Sequence, residues 1–155
     1  MKKIVKIFLV AIGFLTWNPL CGYSQINTDR VLAIGRNALY FEDYVLSMQY
    51  FNQVIRVKPY LPEPYFYRAV AKISLEDFKG AEEDCSAALE RNPFLVEAYR
   101  CRGIARVYLK KYDEATADFD KGLDLAPDNK MLLICKGYVF SKNRFKIIKH
   151  CISSS

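Results

Sequence analysis

Four cysteines, one histidine and a short acidic run are the side chains of this sequence with the chemistry to attack a substrate, ligate a metal or relay a proton. Cys85, Cys101, Cys135 and Cys151 follow a fifth cysteine, Cys21, near the N-terminus, and His150 is the sole histidine. A thiol or hydroxyl nucleophile needs a base that a second group holds in place, and nothing stands beside His150 to hold it. A metal site needs clustered ligands, yet the cysteines form no CxxC pair. Phosphate-cradling loops of the GxGxxG or GxxxxGK[ST] type are absent from the sequence. The longest acidic run, Glu82-Glu83-Asp84, reads as a solvated helix face rather than a catalytic carboxylate pair. These residues point to no cofactor, no metal and no enzymatic reaction, and the cysteines read as small buried residues.

The elements that carry these residues repeat. Pro59, Pro93 and Pro127 are spaced by 34, as are Tyr44, Phe78 and Tyr112. Gly35, Ala69, Gly103 and Gly137 form a small-residue column in the same phase, joined by Ser47, Ala81 and Ala115 and by Val54, Ala88 and Gly122. Phe51, Cys85 and Phe119 form an apolar column, and Ile55, Leu89 and Leu123 an aliphatic one. Within each unit, a segment such as ARVYLKKY (105–112) reads as a helix ending in a tight turn. A second helix follows, with apolar residues three and four apart. Small residues let the two helices approach closely, the aromatic wedges the turn, and the proline stops the second helix. Arg68 and Arg102 precede the small column, and Asp84 and Asp118 lie 16 residues downstream of them on the second helix. Each arginine is expected to pair with its aspartate across the hairpin, a structural role.

This pattern resembles the tetratricopeptide repeat, a 34-residue helix-turn-helix unit. The resemblance covers three units (28–61, 62–95 and 96–129) within 25–129 and a partial fourth unit with a basic tail in 130–155. Val31 and Ser47 in the first unit, and Tyr65 and Tyr99 in the next two, depart from the family pattern. The resemblance implies an all-α solenoid that binds a peptide or helix of a partner protein in a concave groove lined by the first helices. The groove slots it implies are Leu32, Arg36, Leu39 and Tyr40 in the first unit, and Phe66, Val70, Ile73 and Ser74 in the second. The third unit supplies Arg100, Ile104, Val107 and Tyr108. Chaperone-binding members grip a C-terminal carboxylate with lysines, asparagines and an arginine; here those slots hold Leu32, Arg36, Tyr67, Glu97 and Cys101. That specificity is not expected of this chain.

Charge and hydropathy set the remaining expectations. Lys2, Lys3 and Lys6 precede an apolar run from Ile7 to Trp17, then Pro19 and small residues, the order of a secretory signal peptide. Residues 1–24 are therefore expected to be removed, placing the protein outside the cytoplasm, in the periplasm or cell envelope of a Gram-negative source. Six basic residues and no acidic one follow from Lys130 onward, whereas 25–129 hold 14 basic against 17 acidic residues. The formal charge of +6 is thus confined to the ends, and nucleic acid is not an expected partner. The fourth unit repeats the first-helix pattern as LLICKGYVF, but FKIIKHCISSS continues with no second helix of the expected kind. Leu133 and Phe140 are then uncovered. Three readings follow: self-association through the uncapped unit, the front segment of a longer repeat protein, or a basic tail (142–150) that folds back or meets anionic lipid.

Overall fold

The computed structural model describes the backbone of residues 27–153 and the side chains of residues 27–142; the expected signal peptide lies outside them. The described residues form seven helices and no strand: α1 (Thr28–Tyr40), α2 (Tyr44–Val57), α3 (Glu63–Ser74), α4 (Phe78–Arg91), α5 (Val96–Tyr108), α6 (Tyr112–Leu125) and α7 (Lys130–Ser153). Consecutive helices pack on one another, so the first six form three hairpins and α7 lies against α6. This is an all-α helix-turn-helix solenoid.

Local chemistry starts these helices. The carboxylates of Asp43 and Asp77 accept from the backbone N–H of Leu46 and Gly80, capping α2 and α4 at 3.1 and 3.0 Å, while Asn27 and Asn129 cap α1 and α7. Each cap satisfies an N–H that the first helical turn leaves without a partner. Glu42, Glu76 and Lys110, again 34 apart, carry the turns within the hairpins at φ 62. That left-handed backbone favours glycine, and these side chains occupy it at a cost of order 1 kcal/mol each.

The small-residue columns lie where helices touch. Ala69, Ala81, Ala88, Ala98, Ala105 and Ala115 are fully buried. A Cβ at Gly35 would stand 2.7 Å from Phe51 Cε1, and one at Gly103 would stand 2.8 Å from Phe119 Cζ. In the middle hairpin the same two slots hold Ala69 and Cys85, both buried. A larger residue on the first helix is thus matched by a smaller one on the second.

α7 follows the first-helix pattern and then departs from it. Leu132 and Val139 are buried against Ala115 and Phe119 of α6, with Leu132 seated over Gly122. As expected, no separate second helix follows among the described residues, but the alternative of a tail folding back is corrected: the backbone stays helical through Ser153. The segment holds neither glycine nor proline beyond Gly137, so nothing local ends the helix. Leu133 and Phe140 are exposed, as expected.

Candidate functional site

The predicted charge pairs are present, and they form part of a larger seam. Arg68 donates from Nε and Nη2 to Asp84 at 2.8 and 2.5 Å, and from Nη1 to Asn52 of the preceding hairpin at 2.6 Å. Arg102 repeats this one unit later. Its Nε and Nη2 reach Asp118 at 3.1 and 2.7 Å, and its Nη1 reaches Ser86 at 3.1 Å. Lys136 then meets Asp120 at 2.5 Å, in the slot of Asn52 and Ser86. Lys72 and Arg106, also 34 apart, each bring a second cation to Asp84 and Asp118 at 2.9 Å. Every carboxylate of the seam is engaged by cations, so its chemistry is to register one hairpin against the next. The bidentate geometry suits that role.

Glu82 extends the seam, accepting from Arg106 at 2.9 Å and from Lys111 at 2.8 Å. Burial alone would push its carboxyl up, but the hydrogen bonds from Lys111 and Arg106 outweigh it and hold the group below its ordinary 4.5. A carboxyl with a depressed folded value contributes stability that is present above the unfolded value and lost as pH falls through the folded one. Glu82→Gln is therefore expected to lower the melting temperature at pH 7, by an amount equivalent to about 1 kcal/mol or less. The gap from wild type should close as pH falls below 4.5, in thermal melts followed by circular dichroism. A constant gap across that range removes the assignment.

The thiols of Cys85 and Cys101 face each other across the second and third units. The contact with Cys101 and the burial of Cys85 both push the Cys85 thiol up. A thiol held protonated is a poor nucleophile, in keeping with the reading of both as core residues. Both are free and buried.

The twelve predicted groove residues fall on α1, α3 and α5. Phe66, Val70 and Ile73 are half-buried against the cluster around Ala69 and Cys85, and Ile104 and Val107 against that around Phe119. Leu32, Leu39 and Arg100 are half-buried, whereas Tyr40, Ser74 and Tyr108 are exposed. Arg36 is exposed too, with its guanidinium 5.3 Å from the ring centre of Tyr67. Of these twelve, Ile104, Val107 and Tyr108 meet around one hollow of about 470 Å³ between α5 and α7. Ile134, Cys135 and Tyr138 of α7 line its other side, with Tyr112 and Phe119 from α6, and Lys110 and Lys142 at hand.

The sequence reading missed the α7 wall. Ile134, Tyr138 and Lys142 stand 34 residues after Arg100, Ile104 and Tyr108, so the same slots carried into the fourth unit would have found them. Tyr108 is held by a parallel stack on Phe78, ring centres 4.2 Å apart. The Lys142 ammonium lies 5.7 Å from the Tyr138 ring centre. An apolar hollow with ammonium groups near it can take an apolar side chain flanked by a carboxylate.

By sequence, residues 96–129 match the tetratricopeptide repeat. No curated protein sequence matches the chain. In structure, the chain is similar to the first TPR of Spaghetti (RPAP3) bound to the HSP90 peptide SRMEEVD, with 26% identity and a TM-score of 0.74 over 76% of this chain and 93% of that one. It is similar to the first TPR domain of the human RPAP3 protein, at 27% identity and a TM-score of 0.75 over 77% of this chain and 94% of that one. The Arabidopsis OM64 TPR domain is 29% identical, with a TM-score of 0.72 over 74% of this chain and 95% of that one.

Proposed function

We infer that this chain, which belongs to the tetratricopeptide-repeat family, is a non-catalytic adaptor that holds a peptide or helix of a partner protein along α1, α3, α5 and α7. The observation that carries this reading is the hollow between α5 and α7, where Ile104, Val107, Tyr108, Ile134 and Tyr138 converge. Support also comes from the similar Spaghetti domain, which is bound to a peptide. The ligand of this chain is a different one. Where chaperone-binding members carry their carboxylate-gripping side chains, this chain has Leu32, Arg36, Tyr67, Glu97 and a buried Cys101. The preferred peptide is one with an aromatic or aliphatic anchor for the hollow and a carboxylate for Lys110 or Lys142. The lysine-headed apolar leader supports a location outside the cytoplasm, in the periplasm or cell envelope of a Gram-negative source; no helix among the described residues is long and apolar enough to cross a membrane.

Selection of a random peptide library displayed on phage against the full chain tests the reading. Enriched peptides should share an apolar anchor beside an acid, and Tyr138→Ala should weaken them about tenfold, as truncation of a central aromatic does at other interfaces. A library that yields no enrichment, or peptides indifferent to Tyr108→Ala and Tyr138→Ala, ends the proposal. A terminal EEVD peptide should bind no better than a scrambled one.

A further inference from the structure

A second surface of α7 shares no residue with the hollow just described. Gly137 occupies the slot of Gly35 and Gly103, which lie under the rings of Phe51 and Phe119; around Gly137 a Cβ would meet nothing within 4 Å. Beside it Leu133, Lys136 and Phe140 of α7 border an open hollow of about 530 Å³ with Asp113 and Thr116 of α6. Phe140 is 72% exposed. In the second and third hairpins the corresponding space is filled by α4 and α6. Each carries the same short pattern, Ala81, Asp84, Cys85 and Ala88, then Ala115, Asp118, Phe119 and Gly122; Asp118 and Phe119 face the first helix of their own hairpin, while Gly122 lies under Leu132 of the next unit's first helix. The aspartate meets the arginine one residue before the small slot, and the next residue packs on that slot. Lys136 stands in the arginine slot. It has the partner that Arg68 and Arg102 find on the preceding hairpin, Asp120, but no counterpart of Asp84 or Asp118 among the described residues.

We propose that this face of α7 is a seat for an amphipathic helix of a partner protein, one that carries an acidic residue immediately before an aromatic, with small residues three positions to either side of the pair. The aromatic lies over Gly137 between Leu133 and Phe140, and the carboxylate meets Lys136. Internal repetition supplies the template for the fit, and charge supplies the selection. Lys136 is the cation bordering the seat, with Asp113 of α6 on its other side, and α7 itself carries six basic residues and no acid from Lys130 onward, so a carboxylate is favoured at the α7 edge. This seat does not depend on the peptide groove, and either can fail without the other.

The probe is a fluorescent, hydrocarbon-stapled peptide of residues 110–127, which presents the Asp118-Phe119 pattern as a preformed helix to the full chain. Anisotropy should show saturable binding. Gly137→Leu in the protein and Phe119→Ala in the peptide should each weaken it at least tenfold. Lys136→Glu should weaken it as well, and Asp118→Lys in the peptide should restore binding to that variant. Leucine is a better helix former than glycine at an open helical position, so Gly137→Leu should melt no lower than wild type, and its loss of binding is then not unfolding. Absence of saturable binding, or binding that Gly137→Leu leaves intact, overturns the proposal. So does a dimer in light scattering that Gly137→Leu converts to monomer, because the occupant would then be a second copy.

Discussion

Phe119→Cys should cost about 3 kcal/mol of stability, and adding Gly103→Ala to it should give back part of that loss, although Gly103→Ala alone is harmful. Phe119 is fully buried, and truncating a buried aromatic removes its transfer energy and leaves a cavity, about 3–5 kcal/mol for the change to alanine and somewhat less for cysteine. Gly103→Ala in the wild type puts a methyl 2.8 Å from Phe119 Cζ and nearer still to Cε1. Forcing a methyl into so close a contact costs about 1–3 kcal/mol. With the ring gone, the methyl enters vacated space. The middle hairpin has already made this exchange: Ala69 and Cys85 occupy the same two slots, both at 0% exposure. The double variant should therefore be more stable than the two single losses predict, with a coupling of about 1–2 kcal/mol. Urea denaturation of the four proteins measures it. Additivity within about 0.5 kcal/mol would show that the slots do not compensate in size.

The compensation was legible only in part. The 34-residue columns placed Gly35, Ala69 and Gly103 on one helix and Phe51, Cys85 and Phe119 on the next, because helix packing demands small residues at fixed intervals. That a large residue in one column answers a small one in the other became visible only with the helices in contact. The pairs Arg68–Asp84 and Arg102–Asp118 were readable because both partners lie within one hairpin. The bonds to Asn52 and Ser86 cross between hairpins, and their partners differ in type from unit to unit, so no column announces them. The aromatic column located the turns, but the left-handed backbone at Glu42, Glu76 and Lys110 carried no local signal, since residues other than glycine occupy it. At α7 the first-helix pattern and the lack of a second helix after it were legible, but not the continuation of the same helix to Ser153. Without a glycine, a proline or a capping aspartate after Lys142, propagation of the helix is the simpler local outcome. On the groove, the list of slots ended one unit early, and so omitted the Ile134 and Tyr138 wall that encloses the hollow beside Tyr108.

Removing Asp118 should destabilise the fold more than removing Arg102, its closest partner. The Asp118 side chain is 4% exposed, while Arg102 and Arg106 are each 18% exposed. Asp118→Ala leaves two guanidinium groups facing each other without the carboxylate between them. Breaking a fully buried ion pair costs about 3–5 kcal/mol; here both arginines keep some solvent and Arg106 keeps Glu82, which brings the expected loss to about 2–3 kcal/mol. Arg102→Met costs less, about 1–2 kcal/mol, because Arg106 still neutralises Asp118 and the methionine stem preserves much of the packing. It also cuts the bond to Ser86, so part of that loss belongs to the junction between hairpins. Combining Arg102→Met with Asp118→Leu should recover stability relative to Asp118→Ala, since an apolar pair of similar volume is not penalised for leaving water. Circular dichroism melts of the three variants rank these effects. If Arg102→Met melts at or above the wild-type temperature while Asp118→Ala is within about 0.5 kcal/mol of it, the seam is a solvated surface pair and does not set the register.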